Sequence, residues 1–262
     1  MKRLITICVV VALLLVVAGP VTAVPTDYYI WDDWGGAWAD AEKTLPNTED
    51  DLMCWAAAAS NILEWTGWGK VGGMTNTDQM FAHFQDHWTD DGGLMEYAWE
   101  WWFDGTYNGP TVPDWSQPDV PGGGGFYPSL NFKDYFHETW NPPQALSAID
   151  QYLHAGYGTT LGIYDGGHAI TCWGYRYDSD TGAYLGVWLT DSDNSKVGPA
   201  PRPDTINYYD VVLSGGMWYL QDFYGTNDYW YIEGVQALAI PEPATIALFG
   251  FGGLVLLHRR RG

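Results

Sequence analysis

The chain has 262 residues, of which 32 are acidic and 11 are basic, and its formal net charge at pH 7 is −21. This charge excludes nucleic acid as a natural partner, because binding nucleic acid requires cations that neutralise phosphates. Between two ends of biased composition, residues 24–240 are enough for one domain with a sizeable core.

The N-terminal segment has the composition of an export signal. Lys2 and Arg3 precede an apolar run over residues 4–18, and residues 21–23 (Val-Thr-Ala) have the small side chains of a signal-peptidase site. We therefore predict a cleaved signal peptide over residues 1–23, with signal peptidase as a processing partner. The alternative is a transmembrane anchor, which the shortness of the run disfavours, because a spanning helix needs ~20 apolar residues.

The first predicted helix covers residues 52–65, which are rich in alanine and lack glycine and proline. Acidic residues precede it and Gly67 follows it, which is typical of a helix with an acidic start and a glycine stop. Cys54 lies in its first turn. There the helix dipole and free N–H groups lower the pKa of a thiol and favour the nucleophilic thiolate.

The later sequence predicts three more helices, a loop-rich region between the second and third of these, and finally a mostly antiparallel sheet. Glycine, proline and aspartate dominate residues 104–129, which we interpret as a long surface loop or an interlobe connection. Helices before strands indicate an α+β fold. The helices are predicted over residues 77–87, 94–103 and 143–155, and the strands over residues 159–164, 168–177, 184–190, 208–213, 217–219 and 229–239.

A predicted hairpin places a histidine near an aspartate. His168 opens one of its strands, Asp191 follows the other, and residues 178–182 have the composition of a tight turn. A catalytic thiol needs a base whose second ring nitrogen is held by a third group. We therefore predict Cys54 as nucleophile, His168 as base and Asp191 as the group that orients the base. The alternative is a buried helix cysteine and a strand histidine with structural roles.

Three ordered segments resemble the IdeS/Mac family of immunoglobulin-degrading cysteine endopeptidases. Residues 50–63, which read Asp-Asp-Leu-Met-Cys and continue as a small-residue helix, are similar to the family's nucleophile segment. Residues 168–193 are similar to the segment that carries the base. Residues 38–44 are similar to a stretch that carries an oxyanion lysine. The resemblance implies a papain-like α+β fold with the nucleophile at a helix N-terminus packed on a mostly antiparallel sheet. It also implies hydrolysis of peptide bonds in extracellular proteins through a Cys54 thioester, with no cofactor.

The resemblance adds two residues to the candidate site. Lys43 is expected to stabilise the oxyanion together with the backbone N–H of Cys54, and Asp193 is expected to be a second supporting acid. A cation placed where negative charge develops contributes a few kcal/mol in a water-poor site. The chain departs from the family pattern by a longer Lys43–Cys54 spacing and by a longer hairpin. Trp55 also replaces a glycine, which predicts a different or narrower cleft.

The two cysteines of the exported part leave a structural alternative open. In an oxidising compartment Cys54 and Cys172 can form a disulfide, which would block the nucleophile. We expect Cys172 to be a small core residue instead.

Two aspartate-rich segments and one pair of histidines could suggest metal sites, but their sequence context does not favour this. Residues 178–180 and 191–193 are rich in aspartate, but neither continues into a calcium-binding loop that ends in glutamate. His83 and His87 have the spacing of zinc ligands on a helix, yet Phe84 stands where a zinc peptidase needs glutamate. We predict no metal.

The C-terminal segment, residues 241–262, resembles the PEP-CTERM sorting signal of Gram-negative bacteria. It begins Pro-Glu-Pro, continues with an apolar stretch over residues 244–257 and ends with arginines at 259–261. The resemblance implies a short transmembrane helix that anchors the chain in the inner membrane until an exosortase removes it, and a final place at the cell surface or in extracellular polymer. The basic end predicts a cytoplasmic terminus. A tail that remains as an ordinary anchor is the alternative.

A second function class is kept beside the endopeptidase. The chain contains 16 tryptophans and 18 tyrosines, whose faces can stack on sugars. The alternative is therefore a catalytically silent adhesion protein that binds an extracellular polysaccharide matrix.

Overall fold

The computed structural model describes residues 24–44, 49–111, 115, 117–164, 167–193 and 204–241. The predicted signal peptide and nearly all of the predicted C-terminal sorting signal, including its transmembrane helix, lie outside these residues. Among the residues that are described, no helix is long and apolar enough to cross a membrane.

The first half of the domain is mainly helical. Strand β1 (Thr26–Tyr29) and helix α1 (Ile30–Trp34) precede the helix that carries the candidate nucleophile, α2 (Cys54–Thr66). The remaining elements of this half are α3 (Thr77–Gln85), α4 (Met95–Asp104), a 3-10 turn (Phe132–Asp134), β2 (Phe136–Thr139), a second 3-10 turn (Pro142–Gln144) and α5 (Ala145–His154).

The second half contains six strands, β3 (Tyr157–Ile163), β4 (His168–Asp178), β5 (Ala183–Thr190), β6 (Asn207–Ser214), β7 (Met217–Leu220) and β8 (Tyr231–Ala239). Every pairing is antiparallel, in the order β4-β3-β8-β7-β6-β5, and β5 pairs with β4 again. The six strands therefore form a closed barrel. Strand β1 adds to β4, and β2 adds to β8.

The predicted papain-like α+β fold is wrong. The sequence indicates which segments are extended, but not that strand β5 pairs with both β4 and β6 and so closes the ring. Closure converts the predicted sheet into an antiparallel barrel with few helices. The helix at Cys54 and the β4–β5 hairpin remain local features of this different architecture.

Helix α2 packs directly on the barrel because one of its turns is made of alanine. Residues 56–59 are all alanine and buried, so the backbone of α2 lies close to strands β3 and β4. The helix ends at Gly67, whose φ of 84° is the left-handed conformation that a glycine stop supplies.

Most of the large aromatic side chains build the core. Seven tryptophans are fully buried: Trp55, Trp68, Trp88, Trp99, Trp101, Trp102 and Trp173. The high tryptophan content therefore reflects packing between α2, α3, α4 and the barrel more than a binding surface.

Candidate active site

Cys54 is the first residue of α2 and is partly exposed. A turn closed by the hydrogen bond from the Met53 N–H to the Asp50 carbonyl, 3.0 Å, leads into the helix. The ring of His168 and the backbone N–H of Ala169 both lie close enough to the Cys54 thiol to lower its pKa. The nucleophile predicted from the sequence thus lies against the base predicted from the sequence.

His168 opens strand β4 and is paired with Asp191, which follows strand β5. The distance from His168 Nε2 to Asp191 Oδ1 is 2.7 Å, and both side chains are buried. Because Nε2 bonds the carboxylate, Nδ1 is the ring nitrogen left for the Cys54 thiol. The hairpin register, which pairs Thr171 with Thr190, brings the ends of the two strands together.

The Asp191 carboxylate accepts two further hydrogen bonds. The backbone N–H of Asp193 donates to Oδ1 at 3.1 Å, and the Tyr224 hydroxyl donates to Oδ2. Sequence analysis missed Tyr224, which lies in the connection between β7 and β8 with a φ of 49° and matches no motif. It binds the carboxylate oxygen of Asp191 that His168 does not contact.

The charges of the site oppose the effect of burial. Burial raises the pKa of the Cys54 thiol, but the hydrogen bond and charge of His168 and the charge of Lys43 outweigh it, and the pKa lies below its usual value. Burial lowers the pKa of His168, but Asp191 and Cys54 together raise it well above the usual value. For Asp191, burial raises the pKa, while His168 and Tyr224 bring it below the usual range. This electrostatic balance favours a thiolate beside an imidazolium.

Lys43 is 4% exposed and points its ammonium group into the same site. Its Nζ lies 2.9 Å from Asp193 Oδ1 and donates to the Asp51 carbonyl at 2.6 Å. Burial lowers its pKa, but the negative charges of Cys54 and Asp193 raise it above the usual value, so Lys43 remains a cation. The structure brings all five predicted site residues together, and their catalytic roles remain predictions.

Asn61, about two helical turns beyond Cys54, joins three parts of the chain through its buried amide. Its Oδ1 accepts from the Ala41 N–H and the Thr77 hydroxyl, both at 2.8 Å, and its Nδ2 donates to the Thr171 hydroxyl at 3.0 Å. The strand with the base and the segment with Lys43 are thereby fixed to α2.

Trp55, which replaces a glycine of the family pattern, is directed into the core. Its side chain is fully buried, its indole N–H donates to the Asp91 carbonyl at 2.7 Å, and its ring packs edge-on against Trp88. A Cβ on Gly93 would lie 2.7 Å from the Trp55 ring, so glycine is needed there. The departure from the family pattern therefore changes the core behind the nucleophile.

Cys54 and Cys172 are both free, so the disulfide alternative does not describe this structure. Cys172 is fully buried, and burial raises the pKa of its thiol to about 12. It is an inert core residue.

The metal alternatives are accounted for by protein contacts. His83 and His87 each face a backbone carbonyl, those of Gly123 at 2.9 Å and Val120 at 2.8 Å. Asp178 accepts from the Asp180 N–H at 2.9 Å and the Thr181 hydroxyl at 2.8 Å, and so forms the predicted turn.

One group in the described part of the chain has ligand atoms close enough to hold a metal, all within 4.8 Å of one another: His168, Asp191 and Asp193. The hydrogen bonds and ion pairs with Cys54 and Lys43 already use these side chains.

Residues 239–261 match the PEP-CTERM protein-sorting motif. The predicted C-terminal sorting signal is confirmed. The motif directs export to the cell surface of Gram-negative bacteria and implies exosortase as the processing partner. No curated protein matches the chain. The sorting motif thus gives the destination of the protein.

Proposed function

We propose that the chain is an exported cysteine endopeptidase that hydrolyses peptide bonds of extracellular proteins through a thioester at Cys54. The observation that carries the proposal is the series of contacts from thiol to imidazole to carboxylate. Cys54 at the start of a helix lies against His168, and His168 bonds Asp191 at 2.7 Å. This is the geometry of an activated nucleophile whose base is held by a third group.

The reaction follows from the positions of the protons. The Cys54 thiolate attacks the substrate carbonyl carbon, and the negative charge that develops on oxygen is stabilised by the Cys54 N–H and the Lys43 ammonium. The imidazolium of His168 then protonates the leaving amine, which leaves a thioester and a neutral ring. That ring takes a proton from water, the hydroxide attacks the thioester, and the carboxylic acid is released with the thiolate restored.

The local resemblance to the IdeS/Mac endopeptidases supports the same roles. It is confined to three segments, residues 38–44, 50–63 and 168–193, and these are the segments that meet at Cys54 in the structure. It carries no information on the substrate, because the surrounding fold is not the papain-like one that the resemblance implied.

The proposal is tested by labelling and by proteolysis. We expect iodoacetamide to alkylate Cys54 rapidly at pH 7, below the usual pKa of a thiol, and the protein to cleave unfolded casein. Cys54→Ala abolishes both, whereas Cys172→Ala, the matched control at the buried thiol, preserves both. A Cys54 that reacts no faster than free cysteine, in a protein that cleaves no unfolded substrate, contradicts the proposal.

A silent matrix-binding protein is the second candidate, and one exposed aromatic favours it. Trp140 is 44% exposed, and its indole N–H is held by Glu138 Oε2 at 2.6 Å. Its ring lies close to Gly162 and Gly234, and the exposed part of the ring can stack on a sugar. This candidate predicts that Trp140→Ala weakens binding to extracellular polysaccharide while Cys54→Ala leaves it unchanged. Casein cleavage that depends on Cys54 contradicts the silent role.

A further inference from the structure

Four aromatic side chains form a series of ring contacts that begins at His168. We call this group the aromatic face, and its members are Tyr164, Tyr224, Tyr229 and Trp230. The ring centroids of Tyr224 and Trp230 lie 6.3 Å and 6.4 Å from that of His168. The Tyr229 ring is 5.1 Å from that of Trp230, and the Tyr164 ring stacks on Tyr229 at 3.8 Å. The face therefore extends away from the proposed base.

Much of the aromatic face is open to solvent. Tyr224 is 38% exposed and Tyr229 is 42% exposed, although Tyr224 contacts His168, which is only 6% exposed. Tyr164 and Trp230 are partly buried. Accessible aromatic surface thus begins in direct contact with a group of the candidate active site, where a substrate can cover it.

Two members of the aromatic face have a backbone conformation that tyrosine rarely adopts. The φ angle is 52° at Tyr164 and 49° at Tyr224, in the left-handed region that favours glycine and asparagine. Such strained residues cluster at active sites and ligand clamps. Tyr164 directly follows Ile163, which pairs with His168 in the β3–β4 ladder. Both strained tyrosines therefore flank the proposed base, and their rings are held there at a cost to the backbone.

The polar ends of the tyrosines are already engaged with other groups of the protein. The Tyr224 hydroxyl donates to Asp191 Oδ2. Tyr164 raises the pKa of the Tyr229 hydroxyl, because the two hydroxyl groups lie close together. The face therefore offers its rings rather than its hydroxyls. A sugar also needs hydrogen-bonding groups that fix its orientation, whereas a phenyl or indole ring needs only an offset or edge-on ring contact.

The proposed reaction itself brings a peptide to this face. His168 has to come within ~3 Å of the leaving amine, so the residues beside the cleaved bond lie next to its ring. An extended peptide advances ~3.3 Å per residue, so a side chain within about two residues of that bond reaches Tyr224 and Trp230.

We propose that the aromatic face is a substrate subsite that binds an aromatic side chain close to the peptide bond attacked by Cys54. This proposal rests on the proposed endopeptidase function and adds a substrate preference to it. Tyr224 and Trp230 form the part of the subsite next to His168, and Tyr164 and Tyr229 form its outer part.

The first experiment measures ring recognition without requiring cleavage. N-phenylalkyl and N-cyclohexylalkyl iodoacetamides with one to four methylene groups alkylate Cys54, and each rate is divided by the rate with free cysteine. At one tether length we expect the phenyl reagent to react about 3-fold to 10-fold faster than the cyclohexyl reagent, because ring–ring contacts add to apolar burial. Equal corrected rates at every tether length overturn the proposal.

Variants at the outer part of the face assign that preference to it. Tyr229→Ala and Tyr164→Asn should each reduce the phenyl preference to less than about 2-fold, and asparagine tolerates the positive φ of position 164. Tyr229→Phe keeps the ring and should keep the preference. A preference that persists in Tyr229→Ala or in Tyr164→Asn, or that Tyr229→Phe also removes, overturns the proposal.

Trp34→Ala is the matched control, because it removes a ring that is 43% exposed elsewhere on the protein. Gly35, the next residue, accepts from Trp65 near the end of α2, whereas Cys54 begins that helix. The phenyl preference should be unchanged in this variant. An equal loss in Trp34→Ala and Tyr229→Ala shows a general effect on the fold and overturns the assignment.

Peptide cleavage separates this proposal from the endopeptidase itself. Phenylalanine or alanine is placed at each of two positions on either side of a bond that the protein cleaves in casein. At one position we expect kcat/KM for phenylalanine to exceed that for alanine by about 10-fold. Cleavage without a preference at any of these positions overturns the subsite alone. Phenyl-selective labelling in a protein that cleaves no peptide supports the ring-binding site and contradicts the endopeptidase.

A competition experiment distinguishes a peptide from a sugar as the occupant. N-acetylphenylalaninamide should slow the reaction of Cys54 with the phenyl reagent, and soluble cellohexaose should not. Protection of Cys54 by cellohexaose but not by N-acetylphenylalaninamide assigns the aromatic face to a sugar and overturns the proposal.

Discussion

Asp191→Asn tests the electrostatic basis of the candidate site. The substitution retains the shape of the side chain but removes the charge that faces His168 Nε2 at 2.7 Å in a buried contact. A charge-assisted hydrogen bond of this kind contributes about 1.5–3 kcal/mol. Since 1.4 kcal/mol is a factor of ten, the population of the thiolate–imidazolium pair falls by about 10-fold to 100-fold.

The sign of the effect follows from the pKa shifts. In the parent protein the pKa of Cys54 is below and that of His168 above its usual value, so thiolate is present over a plateau between the two. Without the Asp191 charge, burial lowers the pKa of His168, and the pKa of Cys54 rises toward that of an ordinary thiol. Alkylation therefore slows most below pH 7 and converges with the parent rate near pH 10.

The assay measures the rate of Cys54 alkylation by iodoacetamide from pH 5 to pH 10. Mass spectrometry monitors the reaction, in protein that also carries Cys172→Ala. Asp150→Asn is the matched control, because its carboxylate also accepts two hydrogen bonds, from Tyr175 and Tyr184 at 2.6 Å each, away from the thiol. A pH profile of Asp191→Asn that coincides with the parent profile refutes the reasoning, as does an equal loss in Asp150→Asn.

Three further substitutions examine the surroundings of this pair. Lys43→Met should lower kcat by about 100-fold to 1000-fold with little change in KM, because the oxyanion loses a stabilising cation. Steady-state kinetics measure both constants, and an unchanged kcat contradicts a role of Lys43 in stabilising the oxyanion. Tyr224→Phe removes one hydrogen-bond donor to Asp191, so the alkylation rate of Cys54 at pH 6 should fall by up to about 10-fold. A rate equal to that of the parent protein argues against a positioning role for Tyr224. Asn61→Ala should lower the free energy of unfolding by about 1–3 kcal/mol in urea titrations, because the buried Ala41 N–H and Thr171 hydroxyl lose their hydrogen-bond partner. A smaller loss shows that water replaces the amide.

Local signals in the sequence were sufficient for the parts of the site that depend on one helix or one hairpin. The alanine-rich run with its glycine stop predicted α2, and the observed helix begins at Cys54 and ends at Thr66. The aspartate-rich turn predicted the β4–β5 hairpin, and Gly182 has the positive φ that such a turn requires. Both features are determined by neighbouring residues.

The features that the sequence did not predict depend on contacts between distant segments. Barrel closure requires β3 to pair with β8 and β5 with both β4 and β6, and alternating side chains do not specify which strands are partners. Tyr224 reaches Asp191 from an irregular connection 33 residues away, so no spacing rule indicates it. The short elements β1, α1 and β2 had too few residues for a periodic signal.

The closed strand ring has a consequence for life at a crowded cell surface. Open sheets end in rows of free N–H and C=O groups, which can recruit the sheets of neighbouring molecules into aggregates. In the described part of this protein each of the six ring strands has a neighbour on both sides over at least part of its length, and the two added strands, β1 and β2, are only four residues long. Many copies sorted to the same surface can therefore lie side by side without joining edge to edge.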